Sequence, residues 1–210
     1  MRGFWSYYVG VLLRPTATFR ELMAYERKLK LGVLALLVPA LGYTLFYILA
    51  WNAGGGPSTF KPWLAIPRES YYYWDIFLSI PAYLVSMLMA TSVLYLLAKH
   101  FGGAGSWDDT FLMIAFAVGV ATLSTMLHDL TDAFLGVTGV IDLKNYERLL
   151  NEPTFWRSML WGLFMIYFAW FIMLFSRGLK ETHKLTWLQS IIIGIIGLAV
   201  FQVMLLVFIR

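Results

Sequence analysis

The chain has 210 residues, of which 60% are hydrophobic and only 13% are charged, and its mean hydropathy is +0.71. A chain of this length and apolar composition leaves no room for a separate soluble domain, and we predict an integral membrane protein. It has no cysteine, which excludes disulfides, thiolate metal sites and cysteine nucleophiles, and its net charge of +4 fits membrane-flanking loops, so we expect no nucleic-acid partner.

Residues 1–30 are predicted to form a short amphipathic segment at the membrane interface. Aromatic and apolar residues from Phe4 to Leu12 would contact lipid, while the basic residues of the segment face headgroups. Pro15 divides the segment into two pieces. Two interpretations stay open here: a passive interfacial anchor, or an arm that senses lipid or docks a partner.

Five apolar stretches follow, and each approaches or exceeds the length of about 20 helical residues that crosses a bilayer. They cover residues 31–51, 76–98, 111–135, 159–176 and 187–209. Their unbroken apolar runs lack the two-residue alternation of a transmembrane barrel, so helices are favoured. The predicted fold class is therefore all-α: a polytopic membrane protein in which residues 31–210 form a bundle of five transmembrane helices behind the amphipathic N-terminal segment.

Small residues recur at helical spacing in the second and third spans. Ala82, Ser86 and Ala90 are each four residues apart, and Ala115 and Gly119 form a similar pair. Such stripes allow helix backbones to approach closely in a membrane. We therefore predict that these two spans lie inside the bundle and pack through these residues.

A glycine-rich turn joins the second and third predicted spans. Gly102 or Gly103 can provide the left-handed residue that ends one helix, and Gly105 continues the turn. Ser106 and Asp109 have the spacing of a capping box that begins the next helix. The turn is therefore predicted to be a tight structural connection.

Ionisable residues gather near the far end of the third span, where His128 and Asp132 share a helix face and Asp129 is adjacent. Asp75 and Arg157 begin neighbouring spans at a similar depth. One interpretation is a divalent-metal or proton-binding cluster of Asp75, His128, Asp129 and Asp132. The other, which we favour, is a set of interfacial ion pairs in which Arg157, Arg148 or Lys144 neutralises the aspartates.

Basic residues are distributed unevenly between the two faces that five alternating spans would create, and lysine and arginine concentrate on cytoplasmic loops. Ten fall on the face of the N-terminus: Arg2, Arg14, Arg20, Arg27, Lys28, Lys30, Lys99, Arg177, Lys180 and Lys184. Six fall on the other: Lys61, Arg68, Lys144, Arg148, Arg157 and Arg210. We predict a multi-pass protein of the cell (plasma) membrane with a cytoplasmic N-terminus and a C-terminus outside.

Three segments of the chain resemble the Yip-domain family, membrane proteins named for their interaction with Ypt/Rab GTPases. They are Arg14-Pro15-x-x-x-Phe19, Gly102-Gly103-x-x-Ser106, and Asp75-Ile76-Phe77 with a later Pro81. The first looks like the start of prokaryotic members, the second is similar to the family's Gly-Gly turn, and the third looks like a loosened form of a eukaryotic motif. Five spans with a cytosolic N-terminus also match the family.

The resemblance implies a role in membrane shaping and trafficking, with GTPases and other Yip proteins as partners. The segment before the first span is shorter than the N-terminal extension of eukaryotic members. This difference argues against a Rab-type GTPase partner and indicates a member of prokaryotic type.

We therefore expect a non-enzymatic Yip-type protein without a cofactor, which organises the membrane or binds a partner. The lipid bilayer is its environment, and a membrane-protein partner or self-association would provide its contacts. The alternative is a small transporter or channel-like component that uses the outer-face Asp/His cluster, and a membrane-embedded hydrolase comes third. A water-filled cavity that reaches the aspartates would favour transport, whereas a packed bundle with ion pairs would favour the scaffold.

Overall fold

The computed structural model describes residues 3–57, 63–64 and 66–209, so Arg2, Lys61 and Arg210 of the orientation prediction lie outside the described residues. The described part contains nine α-helices and no strand, which confirms the predicted all-α class. The helices are α1 (Phe4–Leu13), α2 (Pro15–Met23), α3 (Lys28–Asn52), α4 (Tyr71–His100), α5 (Trp107–Ala121), α6 (Leu123–Val137), α7 (Leu143–Leu149), α8 (Phe155–His183) and α9 (Trp187–Phe208). A 3₁₀ turn, Arg68–Ser70, leads into α4.

Four helices, α3, α4, α8 and α9, are each long and apolar enough to cross a membrane. The stretch predicted as a single third span, residues 111–135, is instead two helices, α5 and α6, which meet at an angle of 45°. Together they can form a fifth, broken span. The predicted third span is therefore a bent pair of helices.

The bend follows from hydroxyl side chains at the junction. The Thr122 hydroxyl donates to the carbonyls of Val118 and Gly119, and the Thr125 hydroxyl donates to the Thr122 carbonyl. The Ser124 hydroxyl donates to Ala121 in the same way. Such bonds compete with the helical ladder and bend helices.

Helix α5 forms the centre of the bundle, and each of its residues from Thr110 to Ala121 is buried. It contacts α3, α4 and α8, as well as α1 from the N-terminal segment. Ala115 is fully buried, and a Cβ added at Gly119 would collide with the ring of Tyr8 in α1. Gly119 therefore makes room for α1, although the sequence suggested that its small size serves contact between the second and third spans.

The small-residue stripe of α4 is fully buried at Ala82, Ser86 and Ala90. Helix α4 packs against α3 and α9 as well as α5. On α9, a Cβ added at Gly197 would collide with the side chain of Leu94, so close approach of α4 and α9 depends on this glycine. The stripe thus lies inside the bundle, as expected, with more than one helix around α4.

The N-terminal segment is docked on the bundle. Tyr8 of α1 donates a hydrogen bond to the Ala35 carbonyl of α3, and Phe19 of α2 is fully buried. The opposite side of α1 carries Trp5 and Leu13, which are 65% and 70% exposed. One side of α1 therefore packs against the protein, and an apolar side is turned outward.

Two ends of the bundle can be distinguished. The turn end contains the connection between α4 and α5, where Gly102 has φ +79° and Ser106 and Asp109 form the predicted capping box. The cavity end contains α6, α7 and the start of α8.

Candidate functional site

A cavity of about 330 Å³ lies at the cavity end of the bundle, and α3, α4, α6, α7, α8 and α9 all contribute to its wall. We call it the polar cavity. Its polar lining consists of Tyr43, Tyr47, Tyr72, Tyr83, Thr122, Thr125, His128, Asp129, Asp132, Tyr146, Glu147, Tyr167 and Gln202. Apolar side chains such as Leu160, Phe164 and Leu205 complete the wall.

The third-span residues predicted from the sequence meet in this wall, and we call His128, Asp129 and Asp132 the His–Asp cluster. The His128 ring lies between the two carboxylates, with Nδ1 3.0 Å from Asp129 Oδ1 and Nε2 3.2 Å from Asp132 Oδ2. An imidazolium can donate to both carboxylates at once. The cluster therefore holds two negative charges close to one ionisable ring.

Tyr146 of α7 connects the His–Asp cluster to the next element. Its hydroxyl is 3.1 Å from His128 Nε2. Burial, together with the charge of Asp132 and the hydrogen bond to it, raises the pKa of the Tyr146 hydroxyl above its ordinary value. Tyr146 therefore stays neutral and serves as a hydrogen-bond donor on this side of the cavity.

The other predicted members lie apart from this cluster. Asp75 is fully buried in α4 and is not part of the cavity lining. Arg157 donates to the Asn151 carbonyl at 3.2 Å, and none of the ion pairs among the described residues joins it to Asp129 or Asp132. The structure therefore pairs the aspartates with His128.

The metal interpretation needs three or more suitable ligands around one point. Within residues 3–57, 63–64 and 66–209, no group of three or more histidine, aspartate or glutamate side chains is arranged to hold a metal ion. The His–Asp cluster has only one imidazole, and its two carboxylates lie on opposite sides of that ring.

Glu147 is a cavity residue that the sequence reasoning missed. It is only 5% exposed, and its carboxylate accepts the Gly56 N–H at 2.8 Å and the Tyr72 hydroxyl at 3.3 Å. A Cβ at Gly55 would lie 2.9 Å from its Oε1, so this glycine permits the approach. In the sequence, Glu147 lies in a polar stretch typical of a solvated helix, and only the glycine run at residues 54–56 hinted at a close neighbour.

A second buried polar residue, His183, lies at the turn end. The Ala104 N–H donates to the His183 carbonyl at 3.0 Å, and the His183 ring is 2.8 Å from the Thr110 hydroxyl. Cβ atoms at Gly103 and Gly105 would both lie within 3.1 Å of the His183 side chain. The glycine turn therefore accommodates the end of α8, a contact that the sequence did not reveal.

Ion pairs tie the same end together. Arg20 of α2 donates to Glu181 of α8 at 2.6 Å, and this contact raises the pKa of the Arg20 guanidinium above its ordinary value. Lys28 of α3 lies 2.6 Å from Asp109 of α5. The turn end is thus closed by charge pairs, whereas the cavity end contains an open volume bordered by carboxylates.

The chemistry of the polar cavity suits the binding of a small molecule. It offers carboxylate acceptors, tyrosine hydroxyl donors and aromatic faces around a volume large enough for a small molecule. The hydroxyls of Thr122 and Thr125 are already bonded to helix carbonyls.

Comparison with known proteins identifies the family of the chain. The family model described as the Yip1 domain matches residues 9–209, nearly the whole chain. No curated protein and no solved structure matches it. The resemblance predicted from the sequence is confirmed, and the chain belongs to the Yip1 domain family.

Proposed function

We propose that this integral membrane protein is a non-enzymatic binding component, which holds a small ligand in the polar cavity and presents or transports it across part of the membrane. The observation that carries the proposal is the cavity of about 330 Å³ that reaches the His–Asp cluster. A scaffold needs only a packed bundle with ion pairs. A volume of this size bordered by partly buried carboxylates is instead typical of a ligand site.

The groups around the cavity support binding rather than catalysis. The described lining contains no serine, cysteine or lysine, so the nucleophiles near His128 are threonine and tyrosine hydroxyls. Those of Thr122 and Thr125 donate to carbonyls of their own helix. Membership of a family that is generally not enzymatic agrees with this proposal.

Cysteine labelling tests whether the cavity admits small molecules, because the chain has no cysteine of its own. Thr125→Cys places a thiol in the cavity wall, and Thr91→Cys places one at a fully buried site in α4 outside the lining. With purified protein, a small neutral methanethiosulfonate should modify the first variant and spare the second. Leu150→Cys, also in the wall, provides a second cavity thiol. Equal resistance of both cavity thiols would refute an accessible ligand site.

The proposed orientation places the turn end in the cytoplasm of a cell whose plasma membrane holds the protein. It is supported by the basic residues of that end, among them Arg20, Lys28 and Lys180, and by the preference of such residues for cytoplasmic loops. An impermeant thiol reagent applied to intact cells should label Lys144→Cys and not Lys180→Cys. Labelling of Lys180→Cys from outside would show that the protein has the opposite orientation.

A second candidate function is membrane organisation, and the exposed side of α1 favours it. Trp5, Val9 and Leu13 are more than half exposed there, and Arg14 follows directly. An apolar helix face of this kind inserts shallowly into one leaflet, alone or with a membrane partner or second copy beside it. Proteoliposomes should then become smaller with the wild-type protein than with Trp5, Val9 and Leu13 replaced by serine. Val140→Ser, an exposed change at the other end, is the control, and equal vesicle sizes for all three proteins would exclude this role.

A further inference from the structure

We propose that the polar cavity selects an organic cation: an ammonium group, free or in a lipid headgroup, attached to a short apolar body. This inference rests on the proposed binding function and adds the chemical class of the ligand. Three independent features of the cavity support it: its charge, its aromatic wall and its size.

The charge of the cavity is negative. Its described lining includes three carboxylates, from Asp129, Asp132 and Glu147, and no lysine or arginine. Even with His128 as an imidazolium, the two aspartates of the His–Asp cluster face one positive charge, which leaves a formal charge of −1 in the cluster. An anion would be repelled from such a site, whereas a cation supplies the missing charge.

The carboxylates are held in place before any ligand arrives. Glu147 is fixed by the Gly56 N–H and the Tyr72 hydroxyl, and His128 lies between the two aspartates. The Glu147 contacts join α7 to α4 and to the segment after α3, and the His128 contacts lie within α6. A preorganised anionic wall of this kind binds a cation without a further cost of ordering side chains.

Aromatic side chains form most of the remaining wall. Tyr43, Tyr47, Tyr83, Phe164, Tyr167 and Phe168 all line the volume. Ring faces attract cations, and cages of several rings with a nearby carboxylate are typical of sites for quaternary and other ammonium groups. A small divalent cation needs several converging oxygen ligands instead, and the described histidine, aspartate and glutamate side chains form no group of three or more that could hold one.

The size of the cavity limits the ligand. A volume of about 330 Å³ is near the lower end of small-molecule sites, which suits a choline-sized ammonium compound. Trp161 and Phe168 line the cavity and are 42% and 36% exposed, so the wall formed by α8 reaches the outer surface of the bundle. Both a soluble cation and the headgroup of a surrounding lipid can therefore supply the ammonium group.

Charged thiol reagents measure the selectivity directly. On Thr125→Cys in detergent, the rate with the trimethylammonium-ethyl methanethiosulfonate is compared with that of the sulfonato-ethyl reagent. Each rate is divided by the rate of the same reagent on Thr138→Cys, where the thiol is exposed. This division corrects for the different intrinsic reactivities of the two reagents. We expect the normalised ratio to favour the cationic reagent by about tenfold or more. Leu150→Cys repeats the measurement if Thr125→Cys does not fold.

Ligand protection identifies the chemical group. Choline should slow the modification of Thr125→Cys by the neutral reagent, while 3,3-dimethyl-1-butanol, its uncharged carbon analogue, should not. Adding Asp132→Asn should weaken choline protection by about tenfold, because one anchoring charge is lost. Adding Asp108→Asn, which removes a charge at the exposed turn end, should leave it unchanged.

Lipid composition separates the two sources of the ammonium group. If a headgroup fills the cavity, nanodiscs of phosphatidylethanolamine should protect the thiol without added choline, and nanodiscs of phosphatidylglycerol should not. If the ligand is a soluble cation, both nanodiscs leave the thiol reactive until choline is added. Either result supports a cation site.

Other results overturn the inference or the function beneath it. Three results would each refute organic-cation selectivity and leave the accessible cavity intact, provided that the neutral reagent labels the thiol. They are equal normalised rates for both charged reagents, equal protection by choline and its carbon analogue, and protection by zinc alone. Resistance of both cavity thiols to the neutral reagent would refute the proposed function itself.

Discussion

Replacing Gly103 by alanine tests the glycine turn, the motif that most clearly carried the family resemblance. The new Cβ would lie 2.8 Å from the Ala98 carbonyl oxygen, 2.9 Å from His183 Nδ1 and 3.0 Å from His183 Cβ. The first of these atoms is backbone and the histidine is buried, so neither can move away easily. Gly103→Ala should therefore push the end of α8 away from the turn, which is the contact that closes this end of the bundle.

The magnitude of the Gly103→Ala effect follows from the cost of overpacking, typically about 1–3 kcal/mol. For a chain of this size that corresponds to a fall of roughly 2 to 12 °C in Tm. Gly162→Ala is the matched control, because Gly162 lies within α8 and a Cβ there would meet nothing within 4 Å. Alanine is a better helix former by up to about 1 kcal/mol, so this change should be neutral or stabilising.

Thermal unfolding in detergent, followed by tryptophan fluorescence, measures both variants against the wild type. The expected order of Tm is Gly162→Ala at or above wild type, and Gly103→Ala well below it. Equal Tm values for the two variants would refute the claim that the turn is glycine because α8 packs into it.

Three further predictions concern charges at the two ends. Arg157→Ala should change stability by no more than about 0.5 kcal/mol, because its bond is exposed, whereas His128→Gln should cost about 1–3 kcal/mol by leaving carboxylates poorly paired. Thermal denaturation compares the two variants, and a larger loss for Arg157→Ala would support the interpretation in which Arg157 neutralises the aspartates. Burial keeps the Tyr146 hydroxyl protonated in the folded protein at a pH where the unfolded residue loses its proton, so stability should fall above about pH 10. Tyr146→Phe should lessen that fall when Tm is measured against pH, and parallel curves for the variant and the wild type would contradict this. Double-mutant coupling between Arg20 and Glu181 should shrink between roughly 0.05 and 0.5 M salt, because the arginine side chain is 65% exposed, and a salt-independent coupling would show that the pair is shielded.

Much of the fold was predictable because its signals are local. Long apolar runs predict membrane-crossing helices wherever they occur, and α3, α4, α8 and α9 follow them. The turn between α4 and α5 was also readable, since a left-handed Gly102 and the Ser106–Asp109 capping box depend only on neighbouring residues. The partner of that turn was not readable, because His183 lies far along the chain.

The bend between α5 and α6 was missed for a different reason. Hydropathy averages over a window, and residues 111–135 remain apolar throughout, so the average predicts one straight span. The signal was chemical: Thr122, Ser124 and Thr125 place three hydroxyls within four residues, each able to bond to a preceding carbonyl. Reading hydroxyl clusters inside apolar spans would have predicted a break there.

The polar cavity depends on that break, which explains why the sequence could predict the His–Asp cluster but not the site around it. A straight continuation of α5 would keep residues 123–137 on the axis of α5, whereas α6, which holds His128 and Asp132, departs from that axis by 45°. The space beside α6 is bordered by α7, whose Glu147 reaches the glycine run after α3. Each carboxylate thus comes from a segment whose local sequence looks like an ordinary interface. Their common negative field arises only from the bend and the return of α7, so the ligand preference of the cavity is a property of the tertiary structure.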